Sequence, residues 1–219
     1  MSAGGACPAV ALDLPGFGAS PAPAEPWGSS DYAGLAERAL AEVRGATTEP
    51  VVLLGHSFGG RVAVCLAAQR PDLVRALVLT GAPVLRAGPI RKPPVGFRIS
   101  RALRRTGLVP ESFLERARKR YGSADYVASE GVMRQVLVRL LAEDYTERLS
   151  GLQCPVELVW GDDDTEAPLS VAEDLMKIVP QARLTVCPGA GHLTPLTVPD
   201  LIRSAVDRVL DAPCEAGAR

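Results

Sequence analysis

Several features of membrane, secreted and nucleic-acid-binding proteins are missing from this 219-residue sequence. No apolar run approaches the roughly 18 residues that a membrane-spanning helix needs. No basic residue precedes Arg38, so we expect no secretion signal and no membrane contact. The formal net charge of −1 lacks the basic excess of nucleic-acid-binding proteins, and the 47% hydrophobic content excludes a disordered chain.

Cysteine and histidine are also scarce. The five cysteines are an odd number and form no Cys-x-x-Cys pair, and the chain has only two histidines. We therefore predict neither a zinc site nor a disulfide framework, and we expect a cytoplasmic protein without a metal or cofactor. Nothing in the sequence indicates an oligomeric state.

Short apolar runs alternate with helical patterns along most of the chain. Such runs are typical of strands that are covered on both faces. Ser170 and Glu173 form a capping-box pattern at the start of one helix, and Pro199 opens the last helix. The alternation predicts an α/β protein with a mostly parallel sheet flanked by helices. The predicted strands are Val10 to Leu14, Val51 to Gly55, Leu77 to Thr80, Val156 to Trp160 and Leu184 to Cys187.

The segment from Pro83 to Leu149 interrupts this alternation. It has no strand pattern, only helical stretches such as Ser112 to Tyr121 and Val132 to Glu143. Between residues 83 and 121, eleven basic residues face two acidic ones; this part carries +9 and the rest of the chain −10. We interpret the segment as a solvated helical insertion. The alternative is a lid that attracts an anionic substrate or contacts a membrane surface.

A nucleophile elbow is the clearest chemical motif. Gly55-His56-Ser57-Phe58-Gly59 follows an apolar run and precedes a helical pattern, which is the strand-turn-helix context of Gly-x-Ser-x-Gly. We expect both flanking positions to require glycine, because a side chain there would prevent the strand and the helix from packing. Ser57 would then project its hydroxyl above the sheet, and the N–H of Phe58 would face a developing oxyanion.

A serine nucleophile needs a base, and a base needs a carboxylate to orient it. His192 lies in a glycine-flanked loop after a predicted strand, whereas we interpret His56 as a packing residue. Four acids (Asp162, Asp163, Asp164 and Glu166) follow another strand, and spacing alone does not choose among them. The chain order of serine, acid and histidine matches one class of hydrolase.

These motifs, together with the segment from Asp13 to Ser20, resemble the alpha/beta-hydrolase fold superfamily, of the esterase and C–C hydrolase type with a helical cap. The resemblance covers nearly the whole chain. It implies a core of residues 1–82 and 150–219 with a cap at 83–149. The family pattern Gly-x-x-Asp-x-x-x-Pro, laid from Gly161 to Pro168, selects Asp164 as the acid. It leaves Asp162 and Asp163 as solvated loop residues, and Asp13, Gly16 and Gly18 as structural residues.

The resemblance implies a serine hydrolase that cleaves a small acyl or ester substrate through Ser57, Asp164 and His192. A C–C bond hydrolase with the same three residues is the alternative. Similar proteins carry a His-Gly loop with a second oxyanion N–H, and three strands, before the segment that here begins at Asp13. Those strands and the first helix, about 50 residues, are absent here. Either the true start lies upstream, which the intact triad positions favour, or the chain is an impaired or non-catalytic remnant.

Overall fold

A four-stranded sheet forms the centre of the computed structural model, which describes residues 8–45, 47–85 and 129–212. In chain order the elements are α1 (Ser29–Arg44), β1 (Val51–His56), α2 (Phe58–Gln69), β2 (Val74–Thr80), α3 (Gly131–Ala142), α4 (Thr146–Ser150), β3 (Val156–Gly161), α5 (Leu169–Ile178), β4 (Ala182–Cys187), α6 (Thr194–Thr197) and α7 (Pro199–Asp211).

All three strand pairs are parallel, and the strand order is β1-β2-β3-β4. Side chains of β2 alternate between two apolar clusters: Leu77 and Leu79 face one, and Ala76 and Val78 face the other. Because both faces are buried, the strand needs apolar residues at consecutive positions. The predicted α/β architecture with a parallel sheet is confirmed.

Helices cover both faces of the sheet. α2 and α5 pack on one face, α1 packs on α2, and α7 crosses the other face over β1, β2 and β3. α7 begins at Pro199, as predicted. The predicted capping box is wrong: α5 begins at Leu169, before Ser170, and no side-chain cap closes its first turn. Pro168 precedes the helix with a φ of −55°, so the chain enters the helical turn one residue earlier.

The predicted strand from Val10 to Leu14 is not formed. Residues 8–14 carry no regular secondary structure, and the side chains of Val10 and Leu12 are 60% and 43% exposed. A strand needs a partner for its N–H and C=O groups, and β1 pairs only with β2 within the described residues. In the described part of the chain, β1 is therefore an unpaired edge of the sheet.

Residues 131–149 pack into the main core. Val136 and Leu140 of α3, and Tyr145 and Leu149 at α4, are buried beside α2. The Tyr145 hydroxyl donates to Glu143 Oε2 at 2.6 Å, and the Ser29 N–H donates to Glu143 Oε1 at 3.0 Å. Burial, with the Glu143 contact second, raises the pKa of Tyr145 to about 12. This cluster joins the segment between α3 and α4 to the start of α1.

α3 lies within one residue of the helix predicted from Val132 to Glu143. The helical stretch predicted from Ser112 to Tyr121 lies outside the described residues. Across the described ranges, none of the helices has the length and apolar character needed to span a bilayer.

Candidate active site

Ser57 occupies a strained turn between β1 and α2. Its backbone has φ 48° and ψ −115°, and it is the one non-glycine residue with positive φ among the described residues. A sparsely populated backbone conformation of this kind costs an L-residue about 1–3 kcal/mol. The Ser57 N–H donates to the carbonyl oxygen of Thr80 at 2.9 Å, so the end of β2 anchors the turn. Strain of this kind is typical of functional sites.

The glycines around this turn have different roles. A Cβ on Gly55 would lie 2.7 Å from Gly60 Cα, and a Cβ on Gly60 would lie 2.3 Å from Ala82 Cβ. A Cβ on Gly59 would meet nothing within 4 Å. The expectation that both motif glycines must lack side chains is therefore correct for Gly55 and wrong for Gly59. Gly60 is the required partner, because α2 contacts the strands through that residue.

His192 lies beside Ser57 at the carboxyl end of the sheet. Its Nε2 is 3.0 Å from Ser57 Oγ, and its Nδ1 is 2.8 Å from Asp164 Oδ2. A carboxylate can only accept, so Nδ1 carries the proton and Nε2 is left to accept from the serine hydroxyl. The structure thus brings together the three side chains that the sequence motifs selected.

Asp164 is held by three contacts and its side chain is only 1% exposed. While Oδ2 faces His192, Oδ1 accepts from the N–H groups of Glu166 at 2.9 Å and Ala167 at 2.8 Å. These bonds compensate the carboxylate for the loss of water and fix its direction. They come from the loop that follows β3.

Asp162 and Asp163 are exposed, as expected, and Glu166 is exposed as well. Asp162 nevertheless has a structural contact that the sequence did not reveal: its Oδ1 accepts from the Gly189 N–H at 2.7 Å. The Asp163 N–H donates to Ala190 O at 3.1 Å. A Cβ on Gly161 would lie 2.1 Å from that same Ala190 oxygen. The loops after β3 and β4, which carry Asp164 and His192, are therefore in direct contact.

His56 contacts the end of β2 and the ring of His192. Its Nδ1 donates to Thr80 O at 3.1 Å, and its ring centroid is 4.8 Å from that of His192. Burial, and the charge of His192 second, lower the pKa of His56 below its ordinary value of 6.5. His56 is therefore neutral at pH 7 and packs beside the site.

Thr80, Gly81 and Thr194 are contact residues that sequence reasoning missed. The buried hydroxyls of Thr80 and Thr194 hydrogen-bond to each other and join the end of β2 to the His192 loop. Gly81 has φ 53°, and a Cβ there would lie 3.0 Å from the His192 ring and 3.2 Å from Asp164 Oδ2. The signal available in the sequence was the position of Thr80 and Gly81 at a strand's carboxyl end.

Phe58, the first residue of α2, packs against two aromatic rings. Phe17 stacks on it at 4.9 Å and Tyr32 meets it edge-on at 4.9 Å. The backbone N–H at the first position of a helix has no partner inside that helix, so the Phe58 N–H is available to an external acceptor.

The segment that carries Phe17 is a tight turn. Asp13 Oδ2 accepts from the Ala19 N–H at 2.9 Å. Gly16 and Gly18 have φ values of 90° and 53°, and a Cβ on Gly18 would lie 2.3 Å from the Asp13 carboxylate. These contacts agree with the structural interpretation of Asp13, Gly16 and Gly18. Within residues 8–45, 47–85 and 129–212, no group of three His, Cys, Asp or Glu side chains could hold a metal ion.

Helix-covered parallel strands with a serine on a strained strand-to-helix turn define a class of α/β hydrolytic enzymes. The model of the alpha/beta hydrolase family matches residues 1–205, and the chain belongs to that family.

Individual relatives are hydrolases of several kinds. The chain is 28% identical over 205 residues to a 2-hydroxy-6-oxononadienedioate/2-hydroxy-6-oxononatrienedioate hydrolase of Paraburkholderia phymatum, covering 84% of this chain and 69% of that protein. It is 29% identical over 228 residues to a pimeloyl-[acyl-carrier protein] methyl ester esterase of Neisseria meningitidis, covering 94% and 70%. Against one putative carbamate hydrolase, from Caulobacter, the chain spans 63% of the relative's length.

Solved structures share the fold. A thermophilic esterase from Thermogutta terrifontis, solved with malate bound, superposes with a TM-score of 0.63 at 25% identity, over 90% of this chain and 77% of that chain.

Proposed function

We propose that this protein is a serine hydrolase that cleaves a carboxylic ester or a similar small carbonyl substrate. The observation that carries the proposal is the continuous contact from Ser57 Oγ to His192 Nε2 at 3.0 Å and from His192 Nδ1 to Asp164 Oδ2 at 2.8 Å. A hydroxyl, an imidazole and a buried carboxylate in this order make a weak nucleophile reactive.

In the first half-reaction His192 Nε2 takes the Ser57 proton while Oγ attacks the substrate carbonyl carbon. The tetrahedral oxyanion that forms accepts from the Phe58 N–H. His192 then gives the same proton to the leaving alcohol, the carbon–oxygen bond breaks, and an acyl-enzyme remains on Ser57. Asp164 stays ionised and stabilises the imidazolium throughout.

In the second half-reaction His192 takes a proton from water, and the hydroxide attacks the acyl carbon. The carboxylic acid leaves as Ser57 Oγ regains its proton. A single oxyanion donor is worth about 3 kcal/mol, so the position of the Phe58 N–H matters to both halves. The mechanism uses only side chains, backbone and water, and it requires no metal or cofactor.

The cap at residues 83–149 is part of this proposal, with the core formed by 1–82 and 150–219. Support comes from its described end: a Cβ on Gly16 would lie 2.2 Å from Sδ of Met133 on α3, so α3 contacts the turn that carries Phe17. Phe17 in turn stacks on Phe58, the residue after the nucleophile. A segment in this position can shape the acyl side of the site.

C–C bond hydrolysis is the second candidate. It is supported by the relative named for the hydrolysis of 2-hydroxy-6-oxononadienedioate. Ser57, activated by the same base and acid, would attack a ketone carbonyl, and an enolate would be the leaving group. Turnover of an ester and of a vinylogous diketone separates the two candidates. Location in the cytoplasm stays a prediction.

The test uses a fluorophosphonate probe and p-nitrophenyl esters of short acids. We expect labelling of the wild-type chain and turnover of the esters, and loss of both in Ser57→Ala. Ser204→Ala, which removes an exposed serine on α7, is the matched control and should behave like the wild type. A folded wild-type protein that neither labels nor turns over esters or vinylogous diketones would contradict the proposal and favour the non-catalytic alternative.

A further inference from the structure

A second carboxylate approaches the base from the solvent side. Glu166 Oε2 lies 3.5 Å from His192 Nε2, the nitrogen that also faces Ser57 Oγ. Asp164 contacts the opposite nitrogen and is buried, whereas the Glu166 side chain is 51% exposed. The proposed chemistry does not use Glu166, so its place beside the reacting nitrogen needs an explanation of its own.

The backbone of Glu166 is fixed by the residues around it. Its N–H donates to Asp164 Oδ1 at 2.9 Å, and the next residue is held by the Trp160 indole, which donates to Ala167 O at 2.7 Å. Trp160 itself is fully buried. The Asp164 carboxylate, which orients His192, therefore also positions the backbone from which the Glu166 side chain extends. From this backbone position the Glu166 carboxylate lies beside Nε2.

Proton transfer places the leaving group close to this carboxylate. The leaving oxygen must come within hydrogen-bond distance of Nε2 to receive its proton. An oxygen at that position has Glu166 Oε2 as a neighbour, since the carboxylate oxygen is 3.5 Å from the same nitrogen. In the described part of the chain, His192 is the one basic group within 4.0 Å of Glu166. Among the described residues, Glu166 therefore places a carboxylate on the leaving-group side.

We propose that Glu166 is a specificity-determining residue that selects against anionic leaving groups and favours neutral or cationic ones. The inference rests on the proposed serine-hydrolase function. Charge repulsion at a half-exposed site is screened by water and salt, so the effect is moderate and is largest at low ionic strength. Groups carried on the acyl side of the substrate lie farther from Nε2 and are affected less.

The experiment compares aryl acetates whose leaving groups differ in charge: 4-carboxyphenyl and 4-carbamoylphenyl acetate, which are close in shape, and the bulkier cationic 4-trimethylammoniophenyl acetate. The quantity is the ratio of kcat/KM for the anionic ester to that for the carbamoyl ester, measured at low and at high salt. Dividing the ratio of a variant by that of the wild type removes the intrinsic reactivity of each ester.

Glu166→Gln should raise this ratio about threefold at low salt, and the gain should shrink at high salt. The trimethylammonio ester should show the opposite change. Asp163→Asn is the matched control. It removes an exposed carboxylate of the same loop, and that carboxylate forms no ion pair with His192. A phenyl monoester of a long dicarboxylic acid, with its charge on the acyl side, should respond less than the 4-carboxyphenyl ester.

Equal responses of Glu166→Gln and Asp163→Asn, or an equal response of the acyl-side anion, would overturn the inference while leaving the hydrolase function intact. Absence of any Ser57-dependent hydrolysis in the wild type would overturn both. Fluorophosphonate labelling of Glu166→Gln shows that the variant's site is assembled.

Discussion

The two sides of the candidate site are positioned by different forces. On the elbow side, Ser57 is held by torsional strain and by close contacts of Gly55 and Gly60, where no Cβ fits. On the base side, Asp164 and His192 are held mainly by hydrogen bonds within and between the loops that follow β3 and β4. The exception there is Gly161, which makes a close backbone contact.

This difference predicts how substitutions on each side of the site should affect the protein. Steric positioning fails through added volume and shows in the stability of the whole domain, because strand and helix must separate. Hydrogen-bond positioning fails through the loss of a donor or acceptor and shows in the rate, since the loops can keep their fold while the base changes direction. The predictions below are tests of that contrast.

The largest effect is expected at the acid. Asp164→Asn should lower kcat for ester hydrolysis by about 10³- to 10⁴-fold, because an amide nitrogen favours the wrong tautomer of His192. Asp162→Asn, which weakens only the contact with Gly189, should lower it less than about tenfold. Steady-state kinetics with a short p-nitrophenyl ester measures both. Similar losses in the two variants would contradict the assignment of Asp164.

The glycine pair tests steric positioning. Gly60→Ala should destabilise the protein by about 1–3 kcal/mol, because the new Cβ would meet Ala82 Cβ at 2.3 Å. Gly59→Ala, one residue away with nothing within 4 Å, should stabilise it by up to about 1 kcal/mol through helix propensity. Urea unfolding measures the free energy of unfolding of each. A destabilised Gly59→Ala with an unaffected Gly60→Ala would reverse the roles given to these glycines.

The smallest expected effect is the change in stability that results from relief of backbone strain at Ser57. Ser57→Ala and Ser57→Gly both remove the hydroxyl and its contact with His192, so their difference in stability isolates the backbone. The glycine variant should be more stable by about 1 kcal/mol, because φ 48° costs glycine little. Chemical denaturation of the two variants gives this difference. A glycine variant less stable than the alanine variant would contradict the strain, because only the larger entropy loss of glycine would then remain.

Much of the sheet could be predicted from the sequence because buried parallel strands need continuous apolar runs. The runs that begin at Val51 and Val156 match β1 and β3. Val10 to Leu14 has a similar composition but forms no strand, since composition does not supply a neighbouring strand to pair with. The capping pattern at Ser170 and Glu173 failed because Pro168 already directs the chain into the helix.

The contacts among Ser57, Asp164 and His192 could be expected because each residue lies in a motif with a defined place at a strand end. Their catalytic roles stay proposals. The Thr80–Thr194 contact joins residues 114 positions apart, and no local pattern marks it. The same is true of the Glu166 approach to His192, which depends on a side-chain direction. Long-range side-chain contacts of this kind need the folded structure.

The distance along the chain between Ser57 and His192 has a kinetic consequence. The two residues are 135 positions apart, whereas Asp164 and His192 are separated by 28. Contacts between distant residues form late in folding, because a long loop must first be closed. β1, α2 and β2 can assemble the elbow early, but the base reaches it only when the last strand is in place. Recovery of esterase activity during refolding should therefore lag behind the return of helical circular dichroism.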